Sequence, residues 1–428
     1  MEWTKHTGNA SNTKKSFSVT VNINSLDNVK QLSQSLPHED RRLFTRKYGA
    51  ILDLLVIPVE TSALCVLAQY WNSSLRSFEL PNLDITPTIE EFACMIGLPM
   101  EKESTVYFPP EHCISATKVA RQFGELLGLQ SSQIKLVGHA DSQGLTRAFM
   151  ENYLKELEQR REWVTFSRVL ALTIYGLVLF SSALDMVDQA AMRVFFTVET
   201  KKINPMLAVL AETFLTLDFC QKKQKGGKLR CCAQLLYVWI ITHMYAGNHI
   251  NSSSDPLRSF HRIPVNHRDE KEWKIEFDSV EGKTFKWICP WFETRRGDII
   301  YSCGEFLNVP LIGLRGCITY TPAVVLKQLG WTQKQPREEQ LGGYCFSYKD
   351  DDDTKALSRE IKKAWGDVRM AGRLELGKRE ARRTSNNTLK APARGKDSPQ
   401  STPQMVEQLE LMRAQIPFLV EQKKKAEL

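Results

Sequence analysis

The chain has 428 residues, 42% apolar and 25% charged, which is the balance of a folded protein and excludes a disordered one. Its length suits two or three domains. The net charge of +8 is concentrated: thirteen Lys/Arg face four acids between Thr354 and Lys396, a window of +9 that leaves −1 for the rest. Any argument from basicity to nucleic acid therefore concerns that window alone.

Residues 1–15 are polar, with no apolar leader and no lipidation pattern. Phe17, Val19, Val21 and Ile23 alternate with polar residues, the period of a short strand within an N-terminal arm over 1–35. Helical spacing then takes over. Leu43, Phe44, Tyr48, Ile51, Leu52 and Leu55 predict one helix ending before Pro58; Leu64, Leu67, Ala68 and Trp71 mark another. Thr88 and Glu91 have the spacing of a capping box. Gly97 then supplies a left-handed stop, and Pro99 bars continuation. Glu90 and Glu91 are thereby explained as helix-start acids, with no acid/base role required.

Further on, Val119, Phe123 and Leu126 predict a helix stopped by Gly128. Leu145, Phe149, Tyr153 and Leu157 predict a second, with Glu151 and Lys155 on its charged face. Trp163–Leu184 holds sixteen uncharged residues, Val169 to Leu184, closed by Asp185. A bilayer crossing needs about 20 apolar residues, so this stretch reads as the central buried helix of a helical body, with no membrane partner. Asn204-Pro205 caps a helix carrying Leu207, Leu210, Phe214 and Leu217. Lys222–Lys228 is an exposed basic turn before the helix of Leu235, Trp239 and Met244.

From Asn248 to Pro310 the pattern loosens, with short strands expected at Thr284–Ile288 and Ile299–Ser302. Tyr320-Thr321-Pro322 predicts a helix over Ala323–Leu329, ended by Gly330. Leu357, Ile361, Ala364, Trp365 and Val368 stripe a basic amphipathic helix over 351–384. A Ser/Thr/Pro linker fills 385–403. Met405, Leu409, Met412 and Ile416 make a coiled-coil-like stub within 404–428, interrupted by Pro417 and too short for more than weak self-association. The fold class expected is mainly α: a multi-helix globular body over 36–350 with a few short strands, then basic helix, linker and stub.

No catalytic constellation stands out. Gly226-Gly227-Lys228 lacks the spacing of a phosphate loop and reads as a connector. Cys220, Cys231, Cys232, His243 and His249 fit no standard zinc spacing. Adjacent helical residues diverge by about 100°, so Cys231 and Cys232 read as buried thiols and His243 as a hydrogen-bonded core residue. The ten cysteines form no CxxC pair and suit a reducing compartment. Asp350–Asp353 lacks the glycine and terminal Glu of an EF-hand loop. No catalytic residue, cofactor or metal site is nominated. The one candidate site is the block Lys378, Arg379, Arg382 and Arg383, which suits a solvated helix end, a nuclear-import signal or phosphate contacts. No aromatic residue interleaves it, as single-strand binding asks.

Several stretches together resemble the plant mobile domain family, often labelled aminotransferase-like. They are Trp71 with Ser77–Pro81, Ile85–Phe92 and Ile96–Pro99, and later Tyr320–Pro322 with Leu326–Gly330, Gln333 and Pro336. Ala171–Phe180, Lys225–Gly227 with Cys231-Cys232 and Leu235–Tyr237, and Asn308–Leu311 with Arg315–Cys317 resemble its retrotransposon-associated legume and cucurbit branch. The resemblance spans roughly Arg41 to Tyr344. It implies a mostly helical fold, a plant nuclear setting, and a link with transposable elements as passenger or in silencing and chromatin control, with protein partners. The aminotransferase label does not carry over, because a pyridoxal enzyme needs a Schiff-base lysine with partners for phosphate and ring nitrogen, and no such set is present. Relatives in that branch often continue into a long coiled coil; the short stub here is expected of a truncated copy. Nucleic-acid binding through 354–396 is the alternative function.

Overall fold

The structure is a computed structural model. It describes residues 17–21, 23–98, 106–108, 116–139, 142–223, 225–245, 256–288, 298–348 and 352–377. All of these fall within one unit, Lys14–Arg382. The fold is mainly α.

Its centre is the apolar stretch singled out above. Trp163–Ile174 is α-helical and Tyr175–Leu179 widens into a π turn. Every residue from Val169 to Ser181 is buried. The expected single helix to Leu184 stops short because the chain must turn back. Asp185 takes a left-handed φ of 57°, and strand Met186–Asp188 runs past the helix end. Gly176 makes that passage possible, since a Cβ there would sit 2.6 Å from Val187 Cγ1. No described helix is long and apolar enough to cross a membrane.

Around this centre, helix Arg147–Arg160 packs on Trp163–Ile174, and helix Met206–Lys223 packs on Ile89–Ile96. Helix Ala233–Tyr245 packs on Thr61–Ala68 and Ile89–Ile96. Two- and three-stranded sheets stitch the connections. Trp71–Asn72, Ser77–Leu80 and Leu83–Ile85 form one meander; Val137–His139, Ser142–Thr146 and Met186–Asp188 form another sheet. Val309–Ile312, Gly316–Tyr320 and Cys345–Ser347 form a third. Val19–Val21, the strand expected from alternation in the arm, pairs parallel with Gly227–Leu229 inside the expected basic turn.

Several expectations need correction. The arm is not featureless after its strand: Asp27–Gln34 is helical and buries Val29 and Leu32. The helix expected through 43–55 breaks at Gly49 (φ 74°), where a Cβ would meet Ile96 O at 2.5 Å; a 3-10 segment Ile51–Val56 follows. Glu151 is not on a solvated face: it is buried and accepts from Asn28 Nδ2 at 2.9 Å. Thr284–Ile288 forms no strand, whereas Ile299–Cys303 does. The loose segment hides helix Glu270–Ser279, started by an Asp269/Glu272 capping box and buried through Trp273 and Phe277.

The expected helix over Ala323–Leu329 is a 3-10 turn, Pro322–Val324, followed by turns. The side chain of Gln333 replaces its first bond: Nε2 donates to Ala323 O at 2.8 Å, and Oε1 accepts from Lys327 N at 3.3 Å. Such side-chain competition is a known alternative to helical bonding. The basic helix expected over 351–384 covers only Asp352–Ala364. Trp365 Nε1 then anchors to Pro310 O at 2.9 Å, and Val368–Ala371 pairs antiparallel with Ile299–Cys303. The first part of the basic window is therefore built into the body. Residues 378–384, the linker 385–403 and the stub 404–428 lie outside the described residues.

Candidate functional site

The capping box forms as the spacing requires. Thr88 Oγ1 accepts from Glu91 N at 3.1 Å, and Glu91 Oε2 accepts from Thr88 N at 3.0 Å. Gly97 closes the helix at φ 75°. Capping is only part of what Glu91 does. Its carboxylate also accepts from Thr88 Oγ1 at 3.0 Å and from Trp239 Nε1 at 3.0 Å, and its Oε1 lies 2.9 Å from His243 Nε2. On the far side of that ring, Nδ1 donates to Lys286 O at 2.5 Å, and Lys286 N returns a bond to His243 O at 2.8 Å. Phe285 stacks on the imidazole at 5.0 Å with the planes 3° apart. Glu91 and His243 are both fully buried.

Next to this pair, Glu90 Oε1 accepts from Ile300 N at 2.9 Å, and its Oε2 is buried without a partner. Part of the Glu90 residue surface remains exposed, but the carboxylate is not. Burial pushes this carboxyl up to about 7, aided by the like charge of Glu91. Tyr320 approaches from the last strand of the motif region; burial and the two glutamates hold its hydroxyl well above the usual range. Thr86 N donates to Gln328 Oε1 at 3.1 Å, and Gln328 Nε2 donates to Thr86 O at 2.9 Å, across 242 residues of sequence. One buried polar centre thus joins the segment 85–92, the helix Ala233–Tyr245 and the segment 320–330.

Chemically the centre is a clamp. Its donors and acceptors face one another, and at zero exposure no substrate touches Glu91 or His243. Buried pairs of this kind fix the elements that carry them, and removing one partner leaves the other unsatisfied. The sequence signals for Glu91 and His243 were visible separately, but their meeting across 152 residues was not. Two further buried acids act alike. Asp218 accepts from Trp71 Nε1 at 2.7 Å, and Glu212 accepts from Leu314 N at 2.6 Å; burial raises both carboxyls.

The cysteines are core residues. Cys220, Cys231 and Cys232 are buried, and burial pushes Cys220 up to about 11 and Cys232 to about 12, so they remain thiols. Among the described residues no three His, Cys, Asp or Glu side chains gather into a metal site. His249 lies outside the described residues, as do Lys378, Arg379, Arg382 and Arg383. The described part of the basic window exposes Arg359, Lys362, Lys363, Arg369 and Arg373.

No curated protein matches the chain, and no solved structure does. Residues 29–389 match the model of a family described as a domain of unknown function (DUF7745), and the chain belongs to that family.

Proposed function

We propose that the chain is a non-enzymatic interaction domain of a plant nucleus, acting with protein partners in the silencing or chromatin control of transposable elements. The motif order shared with the plant mobile domain family motivates the setting. The observation that carries the non-enzymatic reading is the inward use of those motifs. Thr86, Thr88, Glu91 and Gln328 bond to one another, to Trp239 and to His243 inside the core. Motifs used this way hold a shape, and a held shape serves recognition. The full chain fused to a proximity-labelling enzyme in plant cells is expected to tag chromatin and silencing proteins. A labelled set confined to cytoplasmic proteins contradicts the reading.

A second reading is sequence-nonspecific nucleic-acid binding through 354–396. It is favoured by the +9 window and by the exposed arginines and lysines of its described part. Because 354–371 belongs to the body, the test is substitution and not truncation. Replacing Lys378, Arg379, Arg382 and Arg383 by Gln is expected to weaken DNA and RNA binding and flatten its salt dependence between about 50 and 200 mM. Unchanged affinity and slope contradict it.

A further inference from the structure

Helix Asp352–Ala364 lies beside the sheet of Val309–Ile312, Gly316–Tyr320 and Cys345–Ser347, and a half-open groove of about 400 Å³ runs between them. Its walls carry Phe108, Phe346 and Tyr348 from two other segments, with Ser358, Arg359 and Lys362 from the helix. Phe346 and Tyr348 are half-buried and meet edge to face at 5.9 Å; Lys362 Nζ lies 5.8 Å from the Phe108 ring centre. Arg359 and Lys362 are exposed. At about 100° per residue, Lys355, Arg359 and Lys362 share one face of the helix, whereas Asp353 and Glu360 point well away from it. The groove therefore combines aromatic surface with a cationic rim and keeps the helix acids off that rim.

We propose that this groove binds a single strand of nucleic acid, with a base against Phe346 and Phe108 and the backbone phosphates against Arg359 and Lys362. The inference deepens the nucleic-acid reading above and rests on it for the class of partner. Base stacking on aromatic side chains is tolerant of sequence, and cations beside the platform track the phosphates. A duplex keeps its base faces stacked inside and cannot use the platform, so the groove distinguishes single from double strands. The basic block alone, without aromatic residues, cannot do so.

The test is fluorescence anisotropy of the full chain with labelled oligothymidylate of about 12 nucleotides, within the usual site size, and with a duplex of the same length. Three variants are compared: Phe346→Leu, which removes the ring and keeps apolar bulk; Arg359→Ala with Lys362→Ala, on an exposed face; and the Gln replacement of the 378–383 block. Circular dichroism and melting check that each is folded. The groove variants are expected to weaken single-strand binding by about tenfold, the scale of one lost stack, and to leave duplex binding unchanged. Single-strand affinity equal to that of the parent chain in both groove variants overturns the groove, as does an equal loss on the duplex. If the groove variants lose the strand while the block variant keeps both ligands, the groove stands and the tail reading falls. If only the block variant loses binding, the tail reading stands and the groove falls. No binding of either ligand by the parent chain overturns both.

Discussion

Glu91 shows how much one buried side chain holds together. Four groups contact its carboxylate: Thr88 N, Thr88 Oγ1, Trp239 Nε1 and His243 Nε2. Glu91→Ala strands all of them without water. The expected loss is about 3–5 kcal/mol, the range for removing one member of a buried pair, read from urea unfolding. Glu91→Gln, which retains an acceptor, is expected to lose less; a loss under about 1 kcal/mol for the alanine variant, no more than one ordinary hydrogen bond, contradicts the clamp. Glu90 gives the chain a pH dependence. Its carboxyl titrates near 7 when folded, against an ordinary 4.5, so the folded state holds the proton more tightly. The stability tied to that proton is complete below about pH 4.5 and is lost as pH rises through 7, a change of order 3 kcal/mol. Asp218 and Glu212, also raised, add slopes of the same sign. Glu90→Gln is therefore expected to make stability fall less steeply between pH 5 and 8, and an unaltered slope counts against the buried carboxyl.

At the scale of elements, the π turn Tyr175–Leu179 and the passing strand Met186–Asp188 depend on Gly176. Gly176→Ala puts a methyl group into Val187 and is expected to cost about 1–3 kcal/mol, the usual range for overpacking; a thermal midpoint equal to that of the parent chain contradicts this packing. The starts and stops that depend on near neighbours were readable in the sequence. The Thr88 cap, the Gly97 and Gly128 stops and the Asn204 cap all form. What depends on distant partners was not readable. Val368–Ala371 looks helical until Ile299–Cys303 offers a strand to pair with. Gln333 displaces a helical bond that the local pattern of 323–329 favours. Helix Glu270–Ser279 had a local signal, the Asp269/Glu272 box, hidden in a segment whose aromatic residues suggested irregular chain.

For the whole molecule, the resemblance motifs and the charge belong to different parts of the account. The motifs at 85–92 and 320–330 converge inside the body through Thr86 and Gln328. That convergence could not be seen from spacing alone, nor could the groove, whose walls come from three separate stretches. The charge was legible, but its boundary was not: the basic window begins inside the body, on Asp352–Ala364 and Val368–Ala371, and continues past Gly377. The account is thus of a shaped, internally saturated body with cations on its outer surface, working at transposable-element chromatin. The most direct measurement is chromatin immunoprecipitation of the full chain from plant nuclei, with sequencing of the recovered DNA. The account predicts enrichment over transposable-element copies relative to ordinary genes; recovery no different from an unrelated nuclear protein, or absence from nuclei, would contradict it.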